Sequence, residues 1–150
     1  MDIAAIASAL AARFAAAAIT PPSGYNDPAT ATHELPNAIT TTPTALVFPP
    51  EVSYSYSGHK RSTNLIFPVR FYIAQTSDRP RGMAALYAWL EVLVDQLESQ
   101  FDLGLSSSGT THAVILSSTA GTGEYAEKEY AVIEFEVGVH HESGYDPTTS

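Results

Sequence analysis

From Leu65 to Ile73 every odd position is apolar: Leu65, Phe67, Val69, Phe71 and Ile73. Side chains of a strand alternate between two faces, so this run predicts a long strand with one face in a core. The even positions Asn64, Ile66, Pro68, Arg70 and Tyr72 describe a second face that is only partly wet. Pro68 has no amide to donate, which predicts an edge position or a bulge there. The pattern recurs from Glu129 to His141, with Ala131, Ile133, Phe135, Val137 and Val139 on one face and Tyr130, Val132, Glu134, Glu136 and His140 on the other. Val52, Tyr54 and Tyr56 alternate with Ser53, Ser55 and Ser57 in a shorter strand, and a fourth is predicted around Ala113 to Ser117. Gly58 to Arg61 and Gly121 to Gly123 read as hairpin turns.

Two stretches carry the helical period instead. Ile3, Ile6, Leu10 and Phe14 recur every three or four residues in an alanine-rich run that Asp2 can cap and Pro21-Pro22 stop. Met83, Leu86, Leu90, Leu93, Leu97 and Phe101 do the same, with Gly104 placed to terminate the helix. Between the first helix and the first strand, residues 20–44 are rich in Pro and Thr. Pro28, Pro36 and Pro43 exclude regular helix and central strand. This segment is expected to be an extended arm or loop, either disordered or ordered against a neighbour, with the arm favoured because Tyr25, Leu35 and Ile39 otherwise have nothing to pack on. The order α, β, β, α, β, β predicts an α+β domain over residues 1–142: a mainly antiparallel four-stranded sheet with two helices on one face. Residues 143–150 are expected to form a flexible tail. A length of 150 residues suits one such core.

The chain has no cysteine, which removes disulfides, thiolate metal ligands and thiol catalysis. Its formal charge is −9, against general affinity for a polyanion. The charge is unevenly spread: residues 1–90 carry a balance of +1 and residues 91–150 one of −10, with Lys128 the one basic group there. A chain acidic at one end and locally basic in the middle has the ingredients for head-to-tail contacts between identical subunits, although a solvated acidic face explains the same numbers. The apolar stretch 3–12 follows Asp2 and meets Arg13, unlike a signal peptide or membrane span, and reads as a helix of a soluble protein.

Few residues point to chemistry. Glu91, Asp95, Glu98 and Asp102 form an acidic stripe, but no His accompanies them, and a solvated helix face explains them. His140 and His141 point to opposite faces of a strand; His112 on a neighbouring strand can approach one of them, which leaves too few ligands for zinc. Gly121-Thr122-Gly123 lacks the remainder of a nucleotide fingerprint, and Ser106 to Ser108 form no nucleophile elbow. No metal, cofactor or catalytic residue is therefore assigned. Arg70, Glu134 and Glu136 fall on the non-core faces of two strands, where cross-strand ion pairs are expected and would become orientation devices if buried between subunits. Tyr54, Tyr56, Tyr72 and Tyr130 suit either an interface or ordinary sheet packing.

Taken in order, the N-terminal helix, the Pro-rich segment with Leu35-Pro36-Asn37-Ala38, and Val47-Phe48-Pro49-Pro50 before the Tyr54 strand form a recognisable series. It continues with Arg61, the Leu65–Ile73 strand, the helix near Trp89 and the closing pair from Tyr130 to Val139. The series resembles the tail terminator, or tail completion, proteins of long-tailed bacteriophages. The resemblance covers nearly the whole chain as a pattern of elements, with no catalytic motif to carry over. It implies a non-enzymatic virion protein of the tail-neck region, assembled in the host cytoplasm and without membrane contact. Such a protein forms a ring, typically a hexamer, that caps the tube of major tail protein, stops its growth and docks the head's connector or stopper. DNA passes through without specific binding. On that reading the 20–44 arm and the Lys60-Arg61 turn contact neighbouring subunits or tube. Another neck ring protein is the nearest alternative, and a small hydrolase or metal-dependent enzyme a more distant one.

Overall fold

The computed structural model describes residues 3–15, 19–25, 27–98 and 110–144. Helix α1 spans Ile3–Ala12; strands β1, β2, β3 and β4 span Thr30–Thr32, Thr44–Val47, Glu51–Ser57 and Lys60–Gln75. A single 3-10 turn at Met83–Ala85 leads into α2, Leu86–Glu98, followed by β5, Thr110–Tyr125, and β6, Lys128–Gly144. The fold is α+β, with two helices and a mostly antiparallel, six-stranded mixed sheet in the order β1-β2-β4-β6-β5. Strand β3 pairs with the first half of β4, on the edge that β2 uses further along.

The four expected strands are all present, and two more come from the arm and its end. Strand β2 escapes a period-two reading because both its faces are covered: Ala45 and Val47 enter the main core while Leu46 enters a second cluster. Strand β1 pairs with it in parallel, the one parallel ladder among the described strands.

The odd-numbered faces of β4 and β6 form the centre of the main core, with Leu65 opposite Val139, Phe67 opposite Val137, Val69 opposite Phe135 and Phe71 opposite Ile133. Ile6, Leu10 and Phe14 from the first helix region and Leu86, Trp89, Leu93 and Leu97 from α2 close over that surface. Phe71 meets Trp89 with ring centroids 5.1 Å apart and planes tilted by 50°. Truncating such a buried aromatic costs about 3–5 kcal/mol. On α2 the buried stripe passes through Trp89, while Met83, in the 3-10 turn ahead of it, is 42% exposed. Helix α1 ends at Ala12, well before Pro21-Pro22. Asp2, Phe101, Asp102 and Gly104 lie outside the described residues.

Pro68 lies in the middle of β4 and not at a sheet edge. Its carbonyl accepts the Phe48 amide at 2.9 Å, so its donor-less nitrogen faces the short gap where β2 hands over to β3. The sequence demanded a local break in the ladder, and the irregular link Phe48-Pro49-Pro50, which carries the chain from β2 to β3 in one direction along β4, supplies it.

Gly121 and Gly123 are not a turn. They lie within β5, opposite Val132 and Tyr130, and a Cβ at Gly123 would stand 3.0 Å from Val132 Cγ1. The β5–β6 turn is made by Ala126 and Glu127, at φ 50° and 67°. Two successive positive φ values mark the hairpin turn that usually carries Asn-Gly, so residue identity gave no signal here. The β3–β4 turn, by contrast, uses Gly58 at φ 60° followed by His59, so that Lys60 and Arg61 already belong to β4. At the other end of the chain, β6 runs through Gly144, two residues into the expected tail.

Candidate assembly surfaces

Most of the 20–44 segment is bound to its own domain. The Thr20 amide donates to Gln96 Oε1 at 2.7 Å and Gln96 Nε2 donates to the Thr20 carbonyl at 2.9 Å, which ties the start of the arm to α2. Asp27 is held by Arg81 Nη1 at 3.1 Å, and Arg81 Nε also reaches Asp78 at 3.0 Å. These two carboxylates, Asp27 foremost, raise the Arg81 pKa above its ordinary value.

Further on, the arm crosses the sheet face away from the helices. There Leu46, Tyr72, Tyr130 and Val132 form a second buried cluster, with Ile39, Phe48 and Tyr125 packed against it. The Tyr125 hydroxyl donates to the Pro36 carbonyl, and the Tyr72 and Tyr130 rings meet edge-on at 5.5 Å. Burial, and then the neighbouring Tyr72, push the Tyr130 phenol pKa up. Of the three arm residues expected to need an outside partner, Tyr25 packs against the main core and Ile39 against this second cluster. Leu35 alone of the three is exposed, at 44%.

Arg70 and Glu134 are directly opposed across β4 and β6, and Arg70 Nε lies 3.2 Å from Glu134 Oε2. The guanidinium also lies over the Phe48 ring, 5.3 Å from its centroid. Glu136 falls opposite Pro68 and is exposed on the same face. The pair orients the chain that enters β3, and at half-exposure is worth up to about 1 kcal/mol.

Beyond the helices the sheet continues as a projection. Thr63 and His141 face each other at the limit of the core, both buried. Past them Tyr54 and Tyr56 are 52% and 57% exposed on the helix-side face, with Arg61 stacked 5.7 Å from the Tyr54 ring. His59 and Lys60 form the exposed tip. His140 is on the other face, as expected of adjacent strand residues, and its Nδ1 donates to Asn64 Oδ1 at 2.8 Å. His112 is its register partner on β5. Burial foremost, with neighbouring positive charges that include Arg61 and His140, lowers the His141 pKa.

On the face opposite Tyr54 and Tyr56, Ile66, Val114, Leu116 and Gly138 line an open apolar groove of about 240 Å³. Leu116 is the bulged residue of β5 and lies over Gly138, where a Cβ would come within 3.2 Å of its side chain. Val114 and Leu116 are 46% and 52% exposed. The composition of Val114-Ile115-Leu116 held the signal for this surface: three consecutive apolar residues on a strand must place one outward.

The acidic residues Glu91, Asp95 and Glu98 project from the exposed side of α2, as a solvated face does. No group of three or more His, Cys, Asp or Glu able to hold a metal is found among the described residues. None of the described helices is long and apolar enough to cross a membrane. No family model matches the chain, and a search of curated proteins gave no match.

Proposed function

We propose that this chain is a structural subunit of a ring that caps a bacteriophage tail tube, in the manner of tail terminator proteins. The observation that carries the reading is the order of features along the chain: helix, proline-rich segment, Tyr54 hairpin, long strand, helix, closing strand pair. Its surfaces suit that role. An exposed aromatic hairpin and an open apolar groove belong on a protein that meets other subunits, since isolated apolar patches of this kind mark interaction sites. The ring is read as homo-oligomeric, typically a hexamer, with the helices on one face of the sheet and the arm across the other. It ends polymerisation of the major tail tube protein and presents its far side to a connector or stopper. A charge of −9 lets DNA pass without sticking.

The two cationic residues Lys60 and Arg61, at the projecting hairpin, serve a subunit or tube contact in this scheme. Leu35 does the same for the arm. The test is to add the labelled protein to growing tubes of the major tail protein. Label confined to one tube end, with growth arrested, is expected. Label that binds the connector and ignores tube ends would move the protein to another ring of the neck.

A further inference from the structure

The projecting hairpin and the apolar groove, which runs across β4, β6 and β5, occupy opposite faces of one sheet. Strand order places β3 at one edge and β5 at the other, with β4 and β6 between them. Tyr54 is opposite Thr63 and Tyr56 opposite Arg61, on the odd-numbered, helix-side face; Val114 is opposite Gly138 on the even-numbered face. One molecule therefore cannot bring its own tip to its own groove. The two surfaces also differ in charge. The tip carries Lys60 and Arg61 beside His59, whereas the groove is flanked by exposed Glu136 and by Glu142, whose carboxylate lies 3.5 Å from His140 Nε2.

We infer that the β3–β4 tip of one copy docks in the Ile66–Leu116 groove of the next, with Tyr56 against Leu116 and Lys60 facing Glu136. The occupant is a second copy because the basic, aromatic surface complementary to this acidic-rimmed apolar one is present on the same chain. The contact is heterologous: each docking event leaves one tip and one groove unused, so addition continues until the rotation closes a ring. Tyr54, held by Arg61 through the cation–π contact, stiffens the hairpin before it docks. This inference supplies a contact for the proposed ring and rests on that reading for ring closure.

The chain lacks cysteine, so engineered thiols report contacts without background. Tyr56→Cys and Leu116→Cys are made separately, mixed and mildly oxidised, with Tyr56→Cys plus Glu91→Cys as the control mixture. Both residues of the test pair are more than half exposed, so folding is undisturbed. A cross-linked dimer in the test mixture and its absence in the control are expected. Adding Lys60→Glu to the first partner weakens the cross-link, and Glu136→Lys on the second restores it. Cross-linking of Leu116→Cys with itself would instead indicate a two-fold contact and overturn the inference. A wild-type chain that forms rings while the test pair stays unlinked would overturn this contact and leave the ring standing. A wild-type chain that neither associates nor caps tubes would end both.

Discussion

Arg70 and Glu134 face each other across the centre of the sheet, Nε 3.2 Å from Oε2, with Phe48 beneath the guanidinium. Their side chains are 39% and 45% exposed, so solvent screens the attraction. A double-mutant cycle with Arg70→Ala and Glu134→Ala, read by urea denaturation, is expected to give a coupling of about 0.5 kcal/mol that shrinks in molar salt. The Arg70→Ala single change costs more than Glu134→Ala, because it also removes the contact with Phe48.

Leu46 is fully buried and anchors the second cluster beneath the arm. Leu46→Ala should lower stability by about 2–4 kcal/mol. It should also open residues 33–43 to limited proteolysis, since Ile39 loses its packing surface. Leu35→Ser, at an exposed site, should leave the stability of the isolated chain within about 0.5 kcal/mol of wild type.

These two residues also show what was legible beforehand. The long alternating runs announced β4 and β6, because strict period-two burial on one face leaves no other register. Leu46 was invisible as a strand residue, since a four-residue run covered on both faces has no alternation to detect. The fate of the arm could not be read either. Whether Ile39 packs on its own subunit depends on the second sheet face, where Tyr72, Tyr130 and Val132 are apolar enough to accept it, and that pairing exists only once β4 and β6 are in register. The ion pair of Arg70 was readable because both partners lie on long strands of certain parity. The apolar groove was missed because β5 is longer than its clear pattern and bulges at Leu116, which resets the parity.

The β5–β6 turn places Ala126 and Glu127 in the left-handed region, at φ 50° and 67°. A residue with a Cβ is disfavoured there by roughly 1 kcal/mol, and Asn-Gly fits the same turn without that cost. The variant Ala126→Asn with Glu127→Gly should therefore gain about 1 kcal/mol, a rise of about 2–4 °C in Tm for a domain of this size, measurable by calorimetry.

His141 is 2% exposed and its pKa is lowered from 6.5, chiefly by burial. The folded state thus holds it neutral where the unfolded state takes up a proton. Its stabilising contribution is complete above pH 6.5 and is lost as pH falls from there towards the depressed folded pKa. Urea midpoints measured between pH 7.5 and 5 should fall with acidification, and His141→Gln should flatten that slope. An unchanged slope in the variant would assign the pH dependence to other groups.

The ring itself is tested most directly by the native mass of the purified chain, measured alone and with tail tubes, alongside negative-stain images. A closed particle with a central hole and a mass that is a whole multiple of the 16.0 kDa subunit is expected, either free or at the tube end. A monomer that also leaves tail tubes uncapped would contradict the assembly role.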